Sequence, residues 1–230
     1  MGEYLRQQPR DIVYSLCQYG MSDVWKWGDS VSGNCWRTTQ DITDTWASVK
    51  NIVLDQDRSA AWAKPGNWND PDMLVVGTVG WGNPHKSMLK PDEQYLHISL
   101  WSLFSAPLLI GCDMEKLDNF TYNLLTNDEV IDVNQDPLGK QASCLQIVGE
   151  LCIYVKELED GSRAVGFCNF GLEPVDIKYK DFEKLGLTGT KTVRDLWRQK
   201  NVSTIAIGKN SLSMKIPAHG VLLYKFIPVK

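Results

Sequence analysis

Apolar and polar positions fall into two regimes that meet near residue 137. Before that point, short apolar runs alternate with stretches of helical period. Asp11–Cys17 (DIVYSLC) is an almost unbroken apolar and β-branched run, which predicts a strand covered on both faces. Gln40–Leu54 predicts a helix: Asp41 stands at its start, and Ile42, Trp46, Val49 and Val53 recur at spacings of three and four. Met73–Val76 and Leu108–Ile110 are short strand candidates. Between them Pro91–Ala106 reads as a helix with proline at its entrance and Leu96, Leu100, Leu103 and Phe104 on one stripe. Thr126–Val133 opens on Thr-Asn-Asp-Glu, the pattern of a capping box. Strand and helix in alternation imply parallel βα units. Only about four such strands are present. Gly2–Gln8 resembles the tail of a helix, so the layer opens in mid-element.

After residue 139 the runs shorten and alternate with period two. Cys144–Val148, Leu151–Glu157, Arg163–Asn169, Val175–Tyr179, Lys191–Asp195, Thr204–Ile207, Ser211–Ile216 and Gly220–Phe226 are separated by turn residues. Spacing of roughly 8–12 residues predicts an antiparallel sandwich. Asp160-Gly161 marks a hairpin. The expected class is therefore α/β plus all-β, with residues 1–138 forming a β/α domain and 139–230 a β-sandwich.

Composition narrows the function classes. With 43% hydrophobic and 23% charged residues, the 230-residue chain is ordinary for a globular protein. A net charge of −4 provides no electrostatic footprint for nucleic acid or an anionic membrane. No apolar run reaches the roughly 18 residues that a helix needs to span a bilayer. The first ten residues contain no apolar signal-peptide core. The six cysteines form no C-x-x-C pair, which argues against zinc; they read as small buried residues, with a Cys17–Cys35 bridge conceivable. Nine tryptophans, eight of them before residue 110, suit either a core or sugar faces.

Two segments concentrate chemistry. In Gly33–Asp41 (GNCWRTTQD), Arg37 and Asp41 flank a strand-to-helix turn, the functional face of a βα unit. The guanidinium would favour an ionised Asp41, whereas burial against Trp36 would favour the protonated form that a general acid needs. The alternative is that Asp41 merely caps the helix and pairs with Arg37. In Gly66–Met73 (GNWNDPDM), Asp70 and Asp72 straddle Pro71, which stiffens the loop. Carboxylates, amides and the Trp68 ring in one short stretch suit a polyol pocket. A plain proline turn is the alternative; a metal site is the least favoured, since no histidine is near.

Five segments, YSLCQYG (14–20), NCWRTTQDI (34–42), GNWNDPDMLVVG (66–77), APLLIGCDM (106–114) and VIDVNQDPLG (130–139), resemble in order and spacing the α-galactosidases and α-N-acetylgalactosaminidases of glycoside hydrolase family 27. The resemblance implies strands five to eight of a (β/α)8 TIM barrel followed by an antiparallel β-sandwich. It implies retaining hydrolysis of terminal α-galactosides without a cofactor. It places the acid/base on Asp41, a hydroxyl-holding arginine on Arg37, a hydroxyl-binding carboxylate on Asp72 and a wall residue on Met73. Cys17, Gln18 and Tyr19 fall where the pocket meets the sugar 2-position, although many members have Cys-Glu-Trp there. That departure leaves α-N-acetylgalactosaminidase and β-L-arabinopyranosidase as alternatives, beside a non-catalytic galactose-binding role.

The family nucleophile is the aspartate of a Lys-x-Asp motif on strand four, and no such motif precedes Tyr14. The expectation is a piece of a longer enzyme, inactive alone, or else a chain completed by a partner half or by itself. By resemblance its compartment would be secreted, periplasmic or lysosomal.

Overall fold

The computed structural model describes residues 1–80 and 82–229. Helix α1 (Gly2–Arg6) leads into β1 (Ser15–Leu16), β2 (Cys35–Arg37), α2 (Trp46–Asp55) and β3 (Trp68–Asp70). A small hairpin, β4 (Thr78–Val79) and β5 (His85–Lys86), precedes helices α3 (Pro91–Leu103), α4 (Asn119–Leu125) and α5 (Asp128–Asn134). The strands β1-β2-β3 lie parallel in that order, and Leu74 bridges Ile110 in parallel beyond β3. These four parallel positions form an arc of a (β/α)8 barrel. The arc's flanks are open: Val13 is 76% exposed, Leu109 50% and Ile110 46%.

Several elements are shorter than their patterns. Of the predicted strand Asp11–Cys17 only Ser15–Leu16 pairs, with β2 as its one partner strand among the described residues. The helix predicted from Gln40 starts at Trp46, capped by the Thr45 side chain accepting from the Ser48 N–H. Asp41 therefore stands in the loop before the helix and does not cap it. Helix α5 is likewise capped by Asn127 accepting from Val130 N–H, one residue after the predicted Thr126. Helix α4, capped by Asp118, was not legible in the apolar pattern.

The β-rich part has a strand at each expected run, although the one expected at Thr204–Ile207 runs from Lys200 to Ala206. Strands β6 (Ser143–Val148), β7 (Leu151–Glu157), β8 (Arg163–Asn169), β9 (Val175–Tyr179), β10 (Thr190–Asp195), β11 (Lys200–Ala206), β12 (Leu212–Ile216) and β13 (Val221–Pro228) pair antiparallel throughout. Six of them form a sheet in the order β11-β10-β13-β8-β7-β6, and β12-β9 form the second sheet. Asp160-Gly161 lies in the β7–β8 hairpin, with Gly161 at φ +76°.

The six-stranded sheet is buried on both faces at its centre. One face packs Ile153, Phe167, Val193 and Phe226 against Phe182, Met214 and Ile216. The other face sends Cys152, Tyr154, Ala164 and Leu223 into the same apolar cluster as Leu96, Leu100, Leu103 and Phe104 of α3. Burial of such side chains contributes about 1.5–3 kcal/mol each, so the sheet and the barrel arc share one continuous core. One disulfide joins Cys144 to Cys152 across β6 and β7. The Cys17–Cys35 bridge considered from sequence is not formed; both are free, Cys17 exposed and Cys35 buried.

Candidate active site

The chemistry gathers at the C-terminal ends of β2 and β3. Arg37 is the last residue of β2 and pairs in register with Asp70, the last of β3. The parallel register carries both chains out of the sheet at one level, and the Thr38 N–H still bonds Asp70 O at 2.9 Å. The loops beyond these ends bring Asp41 and Asp72 to one guanidinium. Arg37 Nη2 lies 2.7 Å from Asp72 Oδ2 and 3.2 Å from Asp41 Oδ1. The same nitrogen bonds the Thr39 carbonyl at 3.2 Å. Arg37 Nε is buried and has no partner among the described residues.

Asp72 is fixed from every side. Its φ is +87°, a left-handed value that costs a non-glycine residue about 1–3 kcal/mol. Its own N–H bonds Asp70 Oδ1 at 2.8 Å. Its carboxylate accepts from Met73 N–H at 2.7 Å and Ile42 N–H at 2.8 Å, besides Arg37. A carboxylate offers about four lone-pair sites, so roughly one remains for a ligand. Asp70 lies behind it, almost wholly buried, and that burial pushes its carboxyl above the usual range against the opposing pull of the Asp72 N–H and Arg37.

Asp41 differs from both. Its side chain is 75% exposed and, among the described residues, its one ion pair is with Arg37. The expected burial against Trp36 is absent. Trp36 is the middle residue of β2, so its side chain leaves the opposite face from Arg37. It is sealed among Leu16, Val24 and Trp25, with its indole N–H on Asn69 at 2.7 Å.

The segment after β1 completes the rim. Tyr19 (φ +52°) and Gly20 (φ +76°) turn the chain so that Gly20 N–H reaches Arg37 O at 2.9 Å. A Cβ on Gly20 would stand 2.1 Å from Thr38 O, so only glycine fits. The Arg37 guanidinium sits 5.4 Å from the Tyr19 ring centre, a cation–π distance. A hydrogen bond with Cys17, then the charges of Cys17 and Asp41, raise the Tyr19 hydroxyl above its ordinary pKa. Gln18 is half-buried and gives its carbonyl to Met21 N–H. Met73 packs on Gly111, where a Cβ would meet its Sδ at 2.6 Å.

Arg37, Asp41, Asp72, Cys17 and Tyr19 thus come together, with Gln18 beside them; Met73 joins through its backbone N–H on Asp72 while its side chain packs on the core. Trp68 does not. It is the first residue of β3, in register with Cys35, and packs on Pro65 and Gly139. There it lines an open hollow of about 1520 Å³ at the N-terminal ends of the strands, away from the carboxylates. Two residues of extended chain separate Trp68 from Asp70, about 6–7 Å, which sends the ring to the other end of the sheet. Sequence reasoning also missed His97 and Trp101 of α3, which bond the backbone around Asp72. Their signal was hidden because both occupy the apolar face of a core helix. Among the described residues no group of three His, Cys, Asp or Glu side chains converges to hold a metal ion.

Comparison with known proteins gives this arrangement a family. A family model described as alpha galactosidase A (Melibiase_2) matches residues 1–136. A second, described as the alpha galactosidase C-terminal beta sandwich domain (Melibiase_C), matches 148–226. The chain is 38% identical over 226 residues to Alpha-galactosidase 2 of Arabidopsis thaliana, covering 97% of this chain and 54% of the relative. It is 37% identical over 230 residues to the Alpha-galactosidase of Cyamopsis tetragonoloba, covering 99% and 53%. The crystal structure of alpha-galactosidase I from Mortierella vinacea superposes with a TM-score of 0.88 at 27% identity, covering 98% of this chain and 61% of that one. The chain spans about half the length of the curated relatives it matches. It belongs to the α-galactosidase (melibiase) family, glycoside hydrolase family 27.

Proposed function

We propose that this chain furnishes the acid/base half of a retaining α-galactosidase site, which releases terminal α-linked galactose from oligosaccharides or polysaccharides. The observation that carries the reading is the single Arg37 nitrogen shared by Asp41 and Asp72 at the C-terminal ends of adjacent parallel strands. In this reading Asp72 and Arg37 hold ring hydroxyls. Asp41 protonates the leaving glycosidic oxygen as its bond to the anomeric carbon breaks, then takes a proton from the attacking water. The exposure of Asp41 suits a group that meets substrate, leaving group and water in turn. Cys17, Gln18 and Tyr19 set the fit at the sugar 2-position. Residues 1–138 supply the partial barrel and 139–230 the sandwich that supports it.

Retention also needs a carboxylate nucleophile roughly 5–5.5 Å from the acid/base. Asp72 is a poor candidate, because Arg37 and two backbone N–H groups already hold its charge. Asp70 is buried behind it with an oxygen committed to the Asp72 N–H. The nucleophile therefore comes from outside the described residues, and residues 1–230 alone bind galactose without turning over p-nitrophenyl α-galactoside. The test is that assay together with D-galactose titration. Turnover by this chain alone, abolished in Asp41→Asn, contradicts the half-site; galactose bound away from Arg37 and Asp72 contradicts the substrate.

A further inference from the structure

Beneath Asp72, two fully buried side chains one turn apart on α3 reach the same stretch of backbone. Trp101 donates its indole N–H to Asp72 O at 2.6 Å. Val75 donates its N–H to His97 Nε2 at 3.1 Å. The two rings meet edge to face, with centroids 4.1 Å apart and an interplanar angle of 82°. Between these two anchor points run the left-handed Asp72, then Met73 and Leu74, whose own N–H bonds Leu109 O at 2.7 Å.

A left-handed aspartate persists only where its surroundings over-determine it. Turning φ to +87° swings the peptide planes on either side of Asp72, and both swung groups are met: the N–H by Asp70, the carbonyl by Trp101. Both partners are buried: Asp70 ends β3, and Trp101 lies on α3 with no exposed surface. Its own carbonyl is held in turn by Asn134 Nδ2 at 3.3 Å. His97 fixes the other end of the stretch. Because Nε2 accepts from a backbone N–H, the ring is neutral and its proton sits on Nδ1, which is buried and has no partner among the described residues. An orphaned buried donor costs about 1–3 kcal/mol, so packing alone is better served by leucine at this position. What histidine adds is the acceptor for Val75. Burial pushes the ring's pKa down to about 3, which keeps that acceptor available at any ordinary working pH.

We propose that His97 and Trp101 are positioning residues: together they clamp backbone 72–75 so that the Asp72 carboxylate stays against Arg37 with one lone pair turned to the sugar. The inference rests on the sugar-binding reading of Asp72 given above. Neither ring contacts the site; each acts through the backbone it holds.

The test compares Trp101→Phe, which removes only the donor, His97→Leu, which removes the acceptor, and His97→Gln, whose side-chain oxygen can accept from Val75. Each is made in the full chain, with crystal structures, thermal midpoints and D-galactose titrations. The expected result is that Asp72 leaves its positive φ, or its Arg37 contact, in the first two variants. Losing one hydrogen bond to a charged group weakens galactose affinity about tenfold or more. His97→Gln restores both geometry and affinity. If Asp72 keeps its φ and its Arg37 contact in Trp101→Phe and His97→Leu, the clamp is wrong, whatever galactose does. If all variants shift together with an equal loss of thermal midpoint and no rescue by glutamine, the residues are structural only, and the inference is also overturned. A wild-type chain that binds no galactose refutes the sugar-binding reading, while the crystallographic comparison still decides the clamp.

Discussion

Arg37 and Asp72 form a 2.7 Å ion pair whose side chains are only 11% and 12% exposed, so neither charge can turn to water if the other is lost. Removing one member of such a pair costs about 3–5 kcal/mol, because the partner stays behind as an uncompensated buried charge. Arg37→Met is expected at the lower end, about 3 kcal/mol, since the Ile42 and Met73 N–H groups still hold Asp72. Urea unfolding of the purified chain measures this. A change within about 0.5 kcal/mol, the range of an ordinary surface substitution, would mean the pair is not structurally important.

Asp41 separates from Arg37 in this respect. Its exposed carboxyl makes one surface-like pair, worth about 1 kcal/mol at most. Asp41→Asn should leave the urea midpoint nearly unchanged. In a preparation that hydrolyses p-nitrophenyl α-galactoside, the same substitution should lower kcat by about 10²–10⁴-fold, the usual contribution of general acid–base catalysis. Steady-state kinetics beside a melting curve distinguishes the two effects. An active Asp41→Asn enzyme would remove Asp41 from the chemistry.

Lys156 supplies a pH signature unrelated to the site. Its ammonium is buried under the end of α3, on Ser102 O at 3.4 Å and on Ser105 Oγ. Burial pushes its pKa from 10.5 down to about 8. Below about 8 both folded and unfolded chains carry the proton, and the folded state bears the full penalty. Between 8 and 10.5 the unfolded chain binds more protons than the folded one, so stability rises with pH. The window is worth about 3 kcal/mol at 1.36 kcal/mol per unit. Lys156→Met should therefore be more stable than wild type at pH 7, and the difference should close above pH 10. Chemical denaturation of both proteins across pH 7–10.5 checks this, and parallel curves would contradict it.

The Cys144–Cys152 disulfide closes a loop of 8 residues across adjacent strands. Loop-closure entropy for that length corresponds to about 2.5 kcal/mol. Reduction, or the double change Cys144→Ser and Cys152→Ser, should cost about that much without unfolding the core of the six-stranded sheet, since β7 is also held by β8. Urea midpoints with and without reductant test it; an unchanged midpoint would show that the bond adds nothing.

Short apolar runs separated by turn residues were enough to find the eight strands of the sandwich; alternation itself holds on strands such as β9 and β12, whereas β7 and β8 at the sheet centre are buried on both faces and read as continuous runs. The barrel arc was less legible. Its strands are two or three residues long, too short for a hydrophobic period to mark. Helix starts were misplaced at Thr45 and Asn127, because several polar residues in succession could each have served as the cap. The cluster of Arg37, Asp41 and Asp72 was anticipated through the family resemblance; the pattern alone read Gly66–Met73 as a stiff loop and did not place Trp68–Asp70 on a strand beside Cys35–Arg37. Trp68 could not be placed, because composition says that an aromatic is near but not which end of the strand it leaves from. Nor could Trp101 and His97, whose polar atoms look inward from a helix that reads as core.

Nuclear magnetic resonance titration of the labelled chain with D-galactose addresses the sugar site itself. The backbone amides of Ile42 and Met73, which bond the Asp72 carboxylate, and the side chain of Arg37 should move together and saturate with one affinity. Those shifts should vanish in Asp72→Asn. Signals that stay still, or shifts that centre on Trp68 and the hollow at the opposite end of the strands, would contradict a galactose site at this guanidinium.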